Sequence, residues 1–251
     1  MNLSAFLTAE FLGVALVFAR IGGIIMFVPG FGEALFPARH RLAMALVLSL
    51  ALYPLTPLGP VDFENPAAFL ATMAIELTLG VWIGVTARIL LTGLQFAGYQ
   101  IGMISGLANA FSPSLGSFEG ANLVSSALMM AAVAVIFATD MHHMIIGAMV
   151  MSYEVFPPGQ ILTGDLAQQM VKAVSQSFYM GLSIAAPFFV MGLLLNLAMG
   201  LTARMMPTLP VFFVAGSVLI VSGLLVLVMA TPMMLREFAD EFAAWLGLLV
   251  F

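Results

Sequence analysis

The chain has 251 residues, 63% of them hydrophobic and only 8% charged, with a formal charge of −5. Soluble domains carry roughly 25% charged residues, so 7 basic and 12 acidic side chains cannot clothe a globular surface of this length, and the chain belongs in a membrane or within an assembly of membrane proteins. The charge is too small and scattered to point to nucleic acid, and the absence of cysteine excludes disulfides, thiolate metal sites and cysteine nucleophiles.

Six apolar segments occur in order, at 5–28, 42–58, 67–95, 121–151, 174–203 and 209–235. The N-terminus lacks a basic region and carries Glu10 early, so the first segment is expected to be retained and not cleaved as a signal peptide. Pro29-Gly30-Phe31-Gly32 ends it, and a polar connector with Arg39, His40 and Arg41 leads to the second, whose length is marginal for a span of about 20 residues. Pro157-Pro158-Gly159 closes the fourth segment, a polar amphipathic piece runs from Asp165 to Lys172, and an acidic tail carries Glu237, Asp240 and Glu241. If all six cross, Arg39 and Arg41 share one side with Arg204, and both termini lie outside with the acidic 59–66 loop.

Between the third and fourth segments lies QFAGYQIGMISGLANAFSPSLGSFEGAN, residues 95–122, whose one formal charge is Glu119. Gly98, Gly102 and Gly106, with Ala110 in step, place a small residue every fourth position, which on a helix makes a groove for close backbone approach. Ser112-Pro113-Ser114 breaks that helix, Gly116 and Gly120 loosen the chain beyond the break, and Phe111 and Phe118 stand in an otherwise small and polar loop. The pattern suits a pore constriction or plug, although spacing by itself favours a tight helix contact leading into an ordinary connector.

Several ionisable groups interrupt the apolar runs: Arg20, Glu76, Arg88, Asp140, His142 and His143. Such groups face protein, a pore or one another because lipid disfavours them. Glu76, Gly80, Gly84 and Arg88 share one helix face, but Glu76 and Arg88 stand about 18 Å apart along the axis, so each needs a partner elsewhere. Pro187 is expected to kink the fifth segment, Pro207 and Pro210 to leave a corner before the sixth, and twenty methionines to fill irregular interfaces.

Catalytic signatures are missing. No nucleotide-binding glycine loop, zinc-protease helix or nucleophile elbow occurs, and in Gly116-Ser117-Phe118-Glu119-Gly120 the serine stands one place early for the last. In Asp140-Met141-His142-His143, a continuous helix puts Asp140 and His143 on one face and His142 about 100° away, an incomplete metal site. A proton-handling pair or a hydrogen-bonded helix cap are the other readings of this cluster. No enzyme, metal or cofactor is expected.

An ordered series of motifs covers nearly the whole chain: Arg20-x-x-Gly23, Pro29-x-Phe31-Gly32, Pro37 and Arg39; Glu76-x-x-x-Gly80-x-x-x-Gly84 and Ala97-Gly98-x-Gln100-x-Gly102; Asp140-x-His142-His143, Ser152 and Pro157-x-Gly159; Ala186-Pro187; and Gly200-Leu201-x-x-Arg204-x-x-Pro207-x-x-x-Val211-Phe212. On these residues the chain resembles the FliR family, export-gate subunits of the flagellum, and their injectisome counterparts in type III secretion. It departs at Met141, where the family usually has glycine, and at Thr208-Leu209-Pro210, where it commonly has glutamine-leucine-asparagine.

The resemblance implies an all-α integral membrane protein of kinked helical hairpins, with a FliP-like part over 1–173 and a FliQ-like hairpin and acidic tail over 174–251. It implies a place in the bacterial inner membrane at the flagellar basal body, beside FliP-like, FliQ-like and FlhB-like subunits, in a channel for unfolded exported proteins. It further implies hairpins stacked in a raised spiral and a plug near 106–120, to which Gly106, Phe111, Pro113, Gly116, Phe118 and Gly120 are assigned. Gly80, Gly84, Gly98 and Gly102 are assigned to helix packing; Arg20, Glu76, Arg88, Asp140, His143 and Arg204 to buried charge and contacts between subunits. The rival reading is a secondary transporter for a small solute or ion, which the broken helices and intramembrane charges would suit.

Overall fold

The computed structural model describes residues 3–33, 36–58, 65–108, 123–160, 163–206 and 211–247. Every regular element among them is helical: α1 (Leu3–Phe27), α2 (Ala38–Leu52) with a 3-10 turn (Tyr53–Leu55), α3 (Pro66–Ile104), α4 (Leu123–Ala138), α5 (Met141–Val155), α6 (Thr163–Met205) and α7 (Val211–Gly247). The Pro207–Pro210 corner and the assigned plug residues Phe111, Pro113, Gly116, Phe118 and Gly120 lie outside the described residues.

Local chemistry sets several helix ends. Asn65 accepts hydrogen bonds at Oδ1 from the Ala67 and Ala68 amides (3.2 and 3.3 Å), and Pro66 opens α3 with an amide that needs no partner. Asp165 lies in the first turn of α6 and Arg204 in its last, each matching the sign of the helix dipole. Hydroxyls inside apolar helices bond to the carbonyl one turn back, as Ser49 does to Ala45 (2.6 Å) and Thr86 to Trp82 (2.7 Å), which hides them from an apolar medium.

The six-span expectation is corrected. Among the described residues, four helices are long and apolar enough to cross a membrane, within Leu7–Phe27, Pro66–Ile104, Gly164–Met205 and Ala215–Gly247, and α4 with α5 forms a fifth candidate bent by 77°. α2 has 15 residues, so it reaches about 22 Å against a hydrocarbon core of about 30 Å. The apolar run 121–151 is not one helix, because the chain turns at Asp140, whose φ is 58°. The third segment and the first part of the glycine stretch, read as separate pieces, are one helix of 39 residues. The polar piece at 165–172 belongs to α6, and the acidic tail to α7.

The chain divides into two compact units. The first comprises residues 1–89, 136–173 and 241–251; the second comprises 90–135 and 174–240. The first buries Leu16, Ile21 and Ile24 of α1, Leu79 and Ile83 of α3, Ile145 and Met149 of α5 and Phe242 of α7. The second buries Leu94 and Ile101 of α3, Leu128 and Ala132 of α4, Met180, Ile184 and Phe188 of α6 and Phe238 of α7. Long apolar rows stay exposed on α6 (Val190, Leu193, Leu194, Leu197, Leu201) and α7 (Val221, Leu225, Val228, Met229), surfaces suited to lipid or to other protein.

Candidate functional site

Arg20 of α1 and Glu76 of α3 are both fully buried. Arg20 donates from Nε to Glu76 Oε2 (2.6 Å) and from Nη2 to Oε1 (3.0 Å), a two-pronged geometry that only a guanidinium provides. Its Nη1 donates to the carbonyls of Ser152 and Phe156, at the end of α5, at 3.0 Å each. The Gly159 amide donates to Glu76 Oε1 (3.2 Å), and the Tyr153 ring lies 4.0 Å from the guanidinium carbon. One ion pair thus ties α1, α3, the end of α5 and the turn after it, and satisfies backbone carbonyls that a helix end leaves open.

Glycines permit that approach. A Cβ on Gly80 would overlap the Arg20 carbonyl, one on Gly84 would stand 2.8 Å from the Ile24 oxygen, and one on Gly23 would stand 2.8 Å from the Val81 amide. α1 and α3 therefore cross backbone to backbone, and the face shared by Glu76, Gly80 and Gly84 is buried in the chain's own first unit. The charged pair and the glycines are one device, because the Glu76 carboxylate reaches Arg20 only where the helices touch this closely.

In the second unit, a Cβ on Gly98 would lie 2.5 Å from the Cα of Ser125, whose hydroxyl donates to the Gln95 carbonyl (2.9 Å) and fastens α4 to α3. Gly102 is buried in the same helix. Gly93 meets α6 at Ser177, and Gly223 of α7 meets Ser105 at the end of α3. Gly106 does not continue the helical series. It lies past Ile104 with φ +70°, a conformation that costs a glycine little, and it turns the chain out of α3.

The remaining assigned charges are not buried. Arg88 is 39% exposed and stands 4.0 Å from Glu33, and Arg204 is exposed. Asp140 and His143 are 79% and 71% exposed and 3.8 Å apart. The expected cap is absent, since Asp140 makes no side-chain capping bond, and the expected common helix face is replaced by a left-handed residue at the bend. That turn brings His142 back against His143, ring centroids 4.1 Å apart, and one ligand atom from each of Asp140, His142 and His143 falls within 4.8 Å of the others.

Sequence reasoning left the partner of Glu76 open and overlooked Tyr153, Gly93 and Gly223. A signal existed for the rest: Gly23, Ser152 and Gly159 belong to the motif series, and with Arg20, Glu76, Gly80 and Gly84 they meet at this one place.

Residues 11–245 match the family described as bacterial export proteins, family 1. The flagellar biosynthetic protein FliR of Caulobacter vibrioides is 35% identical over 96% of this chain and 97% of its own length. The proteins of the same name from Escherichia coli K12 and Aquifex aeolicus are each 26% identical, over 85% and 93% of this chain and 82% and 91% of their own lengths. By the extent of these matches the chain belongs to the FliR family of flagellar export proteins.

Proposed function

We propose that this chain lines and closes the channel of the flagellar export gate in the inner membrane at the basal body, assembled with FliP-like, FliQ-like and FlhB-like subunits. Its work is mechanical. Phe111 and Phe118 narrow the lumen at rest, apolar rings dewet it against ion leakage, and an arriving unfolded protein displaces them. The observation that carries this reading is the end of α3: Gly106 turns the chain out of the helix immediately before the phenylalanine-bearing segment. Residues 1–173 serve as the FliP-like hairpins and 174–251 as the FliQ-like hairpin.

Other features support assembly with neighbours. The exposed leucine and valine rows of α6 and α7 offer packing surface, and the exposed Arg204, Asp140 and His143, with the half-exposed Arg88, offer polar contacts. Arg20 and Glu76 bond to each other and to backbone of the same unit, and hold the first unit together. Family membership displaces the solute-transporter alternative.

The test is deletion of residues 109–120 in the assembled gate, with ion conductance recorded across the membrane. The plug reading expects raised leakage with the complex intact; unchanged conductance would sink it.

A further inference from the structure

The bend between α4 and α5 gathers side chains that a continuous helix would keep apart. Asp140 is left-handed with φ 58°, and the two helices turn by 77° there. The His143 amide donates to the Asp140 carbonyl (3.0 Å), which closes the turn and fixes the spacing of the residues on it. His142 packs against Phe137 and His143, at ring-centroid distances of 5.5 and 4.1 Å. One ligand atom from each of Asp140, His142 and His143 falls within 4.8 Å of the others. Three points so close share a centre within about 2.8 Å of each, and bonds from Zn²⁺ to imidazole nitrogen or carboxylate oxygen run about 2.0–2.2 Å. Each donor therefore has at most about 0.8 Å to close, a small rotation for side chains as exposed as Asp140 and His143.

These groups converge without satisfying one another. Asp140 Oδ1 and His143 Nδ1 stand 3.8 Å apart, too far for a hydrogen bond. Asp140 holds the N-cap position of α5 and makes no capping bond, and His142 Nδ1 has no hydrogen-bond partner. A cap or a proton-sharing pair would show short bonds here. Donors too widely spaced to bond one another, yet gathered round one point, fit an ion between them. Two imidazoles and a carboxylate are a set that first-row divalent ions favour. The chain has three histidines and no cysteine, and two of those histidines stand side by side at this bend.

We infer that Asp140, His142 and His143 bind one divalent ion of the Zn²⁺ type, which braces the α4–α5 bend. The ion replaces a loose contact with short bonds across the turn and offsets the cost of the left-handed residue. Three protein ligands leave a coordination position open, and the exposure of Asp140 and His143 lets water fill it. This corrects the sequence expectation of no metal, which followed from a continuous helix that points His142 away. All three ligands belong to the first unit and the site asks nothing of the plug, so failure of either reading leaves the other standing.

The assembled gate is purified from its own membranes on a tag free of histidine, stripped with a chelator and titrated with Zn²⁺, with bound metal counted and the thermal midpoint followed. The unaltered complex should take up one more ion per copy of this chain than Asp140→Asn or His143→Gln complexes do, and its midpoint should rise with the ion. Each variant should weaken binding at this site by about tenfold or more. Both should remain folded without metal, because asparagine tolerates the left-handed conformation and His143 is exposed. His40→Gln, on α2, should bind as the unaltered chain does. Equal uptake by the unaltered complex and both variants would overturn the inference, giving the metal to other groups. So would loss of the ion in His40→Gln, or a midpoint of the unaltered complex that Zn²⁺ does not move.

Discussion

Arg20 and Glu76, 56 positions apart in sequence, form a two-pronged ion pair in which neither side chain touches solvent. Breaking one side leaves a charge buried in an apolar unit, which costs about 3–5 kcal/mol. Glu76→Gln and Arg20→Met should each lower the thermal midpoint of the purified chain sharply. The double variant Arg20→Met/Glu76→Met should lose less than the sum, because it leaves no orphan charge. Additive losses would mean that the two groups act independently.

Close crossing of α1 and α3 makes a second prediction. Gly80→Ala must push against the Arg20 carbonyl, whereas a Cβ on Gly147 of α5 meets nothing within 4 Å. Gly80→Ala should reduce stability and disturb the Arg20 bonds. Gly147→Ala should be neutral or gain about 0.5–1 kcal/mol from helix propensity. Thermal unfolding of the two variants side by side checks the contrast, and equal effects would contradict the crossing.

How much of this was legible in the sequence depends on range. The four-residue step of Glu76, Gly80 and Gly84 marks one helix face, since helical periodicity is local, and in the fold that face lies against the backbone of α1. The partner was not legible, because only the tertiary fold brings Arg20, Ser152 and Gly159 to Glu76. The apolar run through 121–151 hid the bend at Asp140, as hydropathy averages over a turn that one left-handed residue makes. Gly106 read as the third step of a groove, and the end of α3 at Ile104 makes it a turn instead. The exposure of Asp140, His143 and Arg204 was equally hidden, because an ionisable group in an apolar run reads as buried wherever the helix ends cannot be placed.

At the α4–α5 bend, Asp140 is the one non-glycine residue with positive φ among the described residues. Asp140→Gly should keep or raise stability by relieving a left-handed conformation that costs about 1–2 kcal/mol. Asp140→Val should lower it by at least that, because a β-branched side chain fits the conformation worst. Thermal midpoints in the reverse order would show that the bend does not depend on this backbone geometry.

The start of α3 carries a simpler expectation. Asn65→Ala removes the acceptor for the Ala67 and Ala68 amides and should cost about 1 kcal/mol. Asn65→Asp should hold or improve the cap, since its carboxylate also favours the helix N-terminus. Hydrogen exchange at the first turn of α3 reads the effect locally.

The most direct measurement is to isolate the tagged chain from its own membranes in mild detergent, from cells building flagella, and to identify by mass spectrometry every protein that stays attached. The export-gate account predicts one large stable complex holding FliP-like and FliQ-like subunits. A clean monomer or homodimer would contradict it.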